Sequence, residues 1–245
     1  MLLQACLNGA RRPAEHPALP VSPAELAADA AAVRAAGAGA VHLHAKDGDG
    51  ADTLSPAELA AVLDAVRARA PALPAGVTTG AWAAPDPAGR VSAVRSWTEL
   101  PDTASVNWHE EGAEDVAAAL LARGVGVEAG LWHADAVRAW RASPLRDRCC
   151  RVLVELPDGP DAAGTEELAA ELLAAVGAGP DGWTPGGVPV QLHGEGSSTW
   201  PALRIAVRHG LGTRIGLEDT LVLPDGSPAP GNAALVLAAR SLGAG

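Results

Sequence analysis

The chain has 245 residues, 18 basic against 29 acidic side chains for a net charge of −11, and 48% hydrophobic residues with no Tyr or Phe. That length fits one large α/β unit with a full core, and the acidic balance argues against nucleic acid as a partner. Three cysteines, two of them the neighbours Cys149 and Cys150, make no disulfide framework and read as reduced thiols of a cytoplasmic protein. The first residues, MLLQACLNGARR, lack a basic flank ahead of their apolar run, and no stretch reaches the roughly 18 apolar residues of a membrane span, so neither a signal peptide nor a membrane partner is expected.

The pattern alternates short apolar strands with amphipathic helices from end to end. Strands are predicted near 2–8, 38–44, 74–79, 103–108, 125–130, 151–155, 188–193 and 213–218, and helices near 23–36, 55–69, 88–97, 112–123, 134–142, 165–176, 199–209 and 232–242. Two helix starts share the words SPAELAA, from Ser22 and from Ser55. Each has Ser as cap, Pro at the first helical position and Glu three residues after the cap, the signature of a capping box. Gly124, Gly177 and Gly210 mark helix ends. Eight such units without a linker predict a single domain over 1–245, a (β/α)8 TIM barrel of the α/β class. The competing architecture, an open doubly wound sheet, would call for a glycine-rich dinucleotide loop after its first strand, and none is present.

Side chains two apart on a strand share a face, so His42 and His44 share one and Val41 and Leu43 the other. Two readings fit such a strand: a pair of core histidines bonded to buried carboxylates, or two ligands of one divalent cation with a position left open for chemistry. In a barrel the active site lies at the C-terminal strand ends. Every second residue there is polar on nearly all eight strands, as in His42 and His44, Ser105 and Asn107, His193 and Glu195, and Arg214 and Glu218. An acid should complete a metal site. Glu218 ends strand eight, about 9 to 10 Å from strand two at the usual strand spacing, whereas Glu128 and Glu155 lie across the barrel. Asp219 has the opposite parity and is expected to reach over the rim as a base. Arg214, a buried cation, either orients Glu218 or makes a core salt bridge.

The words VHLHAKDGDG, VTTGAW, ASVNWHEEG, VEAGLW and RIGLEDT, followed by NAALV, resemble the β-keto acid cleavage enzymes in the same order over almost the whole chain. The resemblance is weaker from about 157 to 200. It implies a TIM barrel with zinc, or another divalent transition metal, on His42, His44 and Glu218, and a catalytic pair of Arg214 and Asp219. It also implies substrate contacts from Thr78, Ser105 and Glu128, to which Asn107 is added from its place on strand four. The implied reaction joins a 3-oxo acid to acetyl-CoA as co-substrate and cleaves by a retro-Claisen step to acetoacetate and a new acyl-CoA, in a homo-oligomer, dimer or tetramer. The best-known branch has an acid after the first Gly-Ala, where this chain has Arg11. Arg11 and Arg12 then favour a neutral or anionic substrate tail, or CoA phosphates; the alternative is a solvated loop pair.

His193 and Glu195 lie outside the family pattern, as substrate contacts or rim supports. His109 and His133 read as loop or supporting groups. Trp82, Trp108, Trp132 and Trp200 either roof a pocket or pack in the core. Competing functions are a metal-dependent barrel aldolase or hydrolase that needs no CoA, and a catalytically inactive binding member of the family.

Overall fold

A computed structural model describes residues 1–245. Eight parallel strands run β1 Leu3–Cys6, β2 Ala40–Leu43, β3 Ala75–Thr78, β4 Thr103–Asn107, β5 Gly126–Leu131, β6 Arg151–Leu156, β7 Val190–Gly194 and β8 Thr213–Ile215. They hydrogen-bond in the order β7-β6-β5-β4-β3-β2-β1-β8. The ring closes between β7 and β8 through a parallel bridge of Gln191 with Gly212, with Leu192 N donating to Gly212 O (2.9 Å) and Gln191 Nε2 to Thr213 O (2.9 Å). The expected (β/α)8 barrel is therefore what forms.

The helices are α1 Pro23–Ala36, α2 Pro56–Arg69, α3 Pro87–Ser96, α4 Ala113–Ala122, α5 Ala134–Ala142, α6 Ala162–Val176, α7 Thr199–His209 and α8 Asn232–Ser241. With no Phe or Tyr available, Ala, Val and Leu fill the layer between strands and helices, and Val41, Leu43, Val127, Val152, Val154 and Leu192 are essentially fully buried there.

The two SPAELAA helices start differently. Ser22 forms the box, its Oγ accepting from Glu25 N and its N donating to Glu25 Oε2 (2.9 Å). Ser55 makes no side-chain cap, so the second expected box is absent. The α6 helix begins three residues earlier than predicted because Asp161 caps it, accepting from Gly164 N (2.9 Å).

The β8 strand stops at Ile215 instead of running to 218. Gly216 lies so close to β1 that a Cβ there would sit 1.8 Å from Cys6 O. The chain then turns, with Asp219 N and Thr220 N both donating to Gly216 O at 3.0 Å. Asn232, at the start of α8, clamps this turn: its Oδ1 accepts from Leu217 N (2.6 Å), and its Nδ2 donates to Leu7 O (2.7 Å) and Asp29 Oδ2 (2.6 Å).

Burial pushes Asp29 up to about 6 despite the Asn232 bond. The folded state therefore binds more protons than the unfolded chain between the ordinary Asp value, about 4, and about 6, and this group's contribution to stability falls as pH rises through that window. Asp29→Asn is expected to raise the urea midpoint relative to wild type more at about pH 7 than at about pH 4.5. An offset independent of pH would contradict the assignment.

Candidate metal centre and active site

The barrel mouth is a cavity of about 350 Å³ walled by strand ends and the loops after them. His42 Nε2 and His44 Nε2 lie 4.0 and 3.8 Å from Glu218 Oε1, and the three residues can each offer one ligand atom within 4.8 Å of the other two. Ligand atoms around a tetrahedral zinc sit about 3.3 Å apart, given bonds of about 2.0 to 2.1 Å. A small inward movement of these side chains would enclose such an ion. Other features fit a cation. Glu218 Oε2 is buried without a hydrogen-bond partner. Burial, followed by the nearby Arg214 charge, holds His42 well below its ordinary value, which leaves a neutral imidazole suited to ligation.

Two of the three candidate ligands are held from behind, His44 by Asp52 and Glu218 by Arg214. Asp52 accepts from His44 Nδ1 (2.7 Å), which turns His44 Nε2 toward the cavity. The same carboxylate pairs with the buried Lys46 and accepts from Trp82 Nε1 (2.7 Å), while Lys46 Nζ donates to Gly9 O (2.6 Å) and Arg11 O (3.1 Å). His44 and Lys46 hold the Asp52 carboxyl below its usual range against the burial that would raise it. Asp52 was not anticipated. Its signal is the Asp-Gly-Asp-Gly run, a tight turn closed by Asp47 N to Ala51 O (2.8 Å) that folds Asp52 back against the histidine strand. Asp52→Ala is expected to weaken metal affinity about 10- to 100-fold, measured by competition with a chromophoric chelator; unchanged affinity would show that Asp52 does not support the ligand.

Arg214 makes a buried ion pair with Glu218 that fits both expectations. It is buried, its Nη2 donates to Glu218 Oε1 (2.9 Å), and its Nε donates to Cys6 Sγ (2.8 Å). Burial opposes its charge, but the nearby Glu218 and Asp219 carboxylates keep it protonated, while burial pushes the Cys6 thiol up so that it stays neutral. Glu218 is likewise pushed up by burial, with Arg214 pulling the other way.

Thr78, Ser105, Asn107 and Arg11 all line the cavity. Asn107 Nδ2 donates to Glu110 Oε1 (2.9 Å), and Glu110 is in turn anchored by the buried Arg90, two supports the sequence reading did not find. Arg11 Nε donates to Leu217 O (2.5 Å) and its Nη1 to Glu15 Oε2 (3.0 Å), so it ties the first loop to the Glu218 turn and is not a free solvated cation.

Two expected site residues lie elsewhere. Glu128 is fully buried and does not line the cavity; it pairs in register with Arg151, the first residue of β6, which sets it low in the barrel. There it accepts from Gln4 Nε2 (3.2 Å), lies 3.3 Å from Arg151 Nη1, and rests 4.0 Å beneath His42 Nδ1. Asp219 does not reach over the rim. The early turn after Gly216 carries it inward, fully buried, with Oδ1 3.1 Å from His193 Nδ1.

Glu155 and Glu195 form the far wall. Burial and the neighbouring Glu155 charge push Glu195 up to about 7. Of the four tryptophans, Trp82 and Trp132 line the cavity, Trp82 stacking on His44 with ring centres 6.1 Å apart, whereas Trp108 and Trp200 are buried in packing. His133 caps α5 through Ala136 N, and His109 is exposed beside it, with ring centres 5.2 Å apart. Cys149 and Cys150 are unbridged. No helix is long and apolar enough to cross a membrane.

These features define a (β/α)8 barrel with a candidate His-His-Glu metal site at its C-terminal mouth. The chain belongs to the β-keto acid cleavage enzyme family, whose sequence model matches residues 1–244. No curated protein matches it. Among solved structures it is similar to a ternary complex of ObcA with a C4-CoA adduct and oxalate (TM-score 0.70, 18% identity, 92% of this chain and 63% of ObcA). It is also similar to a binary complex of ObcA with oxaloacetate (TM-score 0.66, 18% identity, 92% and 63%). Octameric ribulose-1,5-bisphosphate carboxylase/oxygenase from Pyrococcus horikoshii OT3 has a TM-score of 0.60 at 13% identity, covering 98% of this chain and 58% of that one. At these identities the likeness concerns the fold, and the chain spans under two thirds of ObcA's length.

Proposed function

We propose that this chain binds a 3-oxo acid and acetyl-CoA at the barrel mouth and cleaves the acid by condensation and retro-Claisen reaction, giving acetoacetate and a new acyl-CoA. The observation that carries this reading is the convergence of His42, His44 and Glu218 on the polar cavity, in a chain of the β-keto acid cleavage family. Support comes from the ObcA complexes, which hold oxaloacetate, a carboxylate β to a ketone, and a C4-CoA adduct.

Zinc is the ion proposed for the three ligands; when bound, it would polarise the ketone oxygen and favour the enolate. The protein's own groups do the rest. Arg214 holds Glu218 in place and supplies positive charge beside it. Thr78, Ser105 and Asn107 offer hydroxyl and amide groups along one wall for the substrate carboxylate and carbonyl. A carboxylate base, assigned to Asp219 by the family pattern, removes the C2 proton. The resulting carbanion attacks the acetyl thioester, the released CoA thiolate attacks the former ketone, and the carbon–carbon bond breaks to release acetoacetate. Arg11 at the mouth suits a neutral or anionic tail better than a cationic one.

Purified enzyme supplied with acetyl-CoA and 3-oxo acids bearing cationic, neutral or anionic tails tests the reading. CoA-dependent acetoacetate formation, weakest with the cationic tails, is expected. Cleavage that proceeds equally without CoA would assign the chain to an aldolase-like or hydrolytic reaction instead.

A further inference from the structure

Lys46 is the only lysine of the chain; the other 17 basic side chains are arginines. It lies two residues beyond His44 and meets Asp52 across the tight turn as an antiparallel bridge, with Thr53 N donating to Ala45 O (3.0 Å). Its side chain is buried, where an ammonium is stable only if it is fully paired. An ammonium has three donors, and here each has its own acceptor: Asp52 Oδ1, Gly9 O (2.6 Å) and Arg11 O (3.1 Å).

Those acceptors serve two different metal-ligand candidates. Asp52 stands behind His44, bonded to its Nδ1 (2.7 Å). Gly9 and Arg11 belong to the loop after β1, and that loop is built against Glu218. A Cβ on Gly9 would lie 2.5 Å from Glu218 Cγ, and Arg11 Nε donates to Leu217 O (2.5 Å), the residue before Glu218. Contacts therefore run without a break from His44 through Asp52, Lys46 and the β1 loop to Glu218, and an ion between His44 and Glu218 would close them into a ring. The same loop carries Arg11 to the cavity wall.

We propose that Lys46 is a positioning residue that sets the spacing of His44 and Glu218 and, through the same loop, seats Arg11 at the mouth, so that metal affinity and the choice of substrate tail are coupled. The tail half rests on the function proposed above; the metal half needs only the ion. By linkage, an ion that draws His44 and Glu218 together tightens the loop, and a loop held in place raises affinity for the ion. Removing the ammonium deprives a buried carboxylate and two loop carbonyls of their donor at once. His44 then loses the orientation that Asp52 gives it, and Arg11 loses its anchor on the main chain.

The test compares wild type, K46M, K46R, R11M and K46M/R11M. It measures zinc affinity by chelator competition, and calorimetric binding of 3-oxo acids with anionic or cationic tails to the zinc-loaded proteins; neither measurement involves CoA or turnover. K46M is expected to bind zinc about 10-fold more weakly. Its preference for anionic over cationic tails should fall to that of R11M, with K46M/R11M no lower than R11M alone, the non-additivity expected of residues that act together. K46R keeps the charge and several donors and should recover a measurable part of both properties. Because Lys46 is the only lysine, isotope-labelled lysine gives one side-chain resonance in the wild type, and zinc should shift it. A lysine that merely stabilises the fold would lower the urea midpoint of K46M while zinc affinity and tail preference stayed at wild-type values, and that result overturns the inference. Additive losses in the double variant overturn the tail half. If K46M does not fold, a wild-type resonance unmoved by saturating zinc overturns the metal half. A wild type that shows the coupling yet forms no acetoacetate with acetyl-CoA removes the proposed reaction and leaves Lys46 its role.

Discussion

Glu218→Gln is expected to empty the metal site and to lower acetoacetate formation by about 10³-fold or more, because a Lewis acid at a developing oxyanion is worth several kcal/mol and each 1.4 kcal/mol is tenfold in rate. The substitution is nearly isosteric and removes the negative charge at the one oxygen that both imidazoles approach, at 3.8 and 4.0 Å. It also converts the partner of Arg214 Nη2 into a neutral acceptor, which leaves a buried guanidinium poorly compensated. The effect therefore has two parts that metal analysis and thermal unfolding separate: loss of bound ion, and a fall in melting temperature that persists in the ion-free state. A variant that keeps one ion per chain and near-normal turnover would remove Glu218 from the ligand set.

Gly216→Ala is expected to act through the backbone. The added methyl would fall 1.8 Å from Cys6 O and 2.6 Å from Cys6 C, and neither atom belongs to a side chain that can rotate away. The β1 and β8 strands must part where Glu218 N donates to Cys6 O (3.3 Å), so Glu218 moves with them. A loss of about 3 kcal/mol or more in urea unfolding is expected, at or above the upper end for overpacking, together with weakened metal binding. Gly48→Ala, with nothing within 4 Å of its new methyl, is the control and should change neither. Equal stability of the two variants would show that the β8 turn can relax without cost.

The alternation of apolar strands and capped helices made the barrel legible, since each strand's outward Val and Leu residues declare a face that helices must cover, as Val41 and Leu43 do on β2. The grouping of His42, His44 and Glu218 was legible because His42 and His44 share parity and Glu218 closes the ring from the other side of β1. Strand parity nevertheless described the wrong local geometry at β8. Glu218 and Asp219 lie on a turn that Gly216 and Asn232 create, and the close approach to Cys6 that forces it is a contact between residues 210 apart in sequence. Glu128 was placed too high because barrel stagger, which sets it level with Arg151, is not written in any single strand. Asp52 was undervalued for a related reason: it meets His44 only because the loop folds back on the strand.

Elemental analysis of the purified protein, carried out beside a His42→Ala/His44→Ala variant, tests the central claim most directly. One equivalent of a divalent transition metal per chain in the wild type, absent from a still-folded variant, is the result this account predicts. Metal that survives loss of both histidines, or a wild-type protein that takes up none when offered zinc, would contradict it.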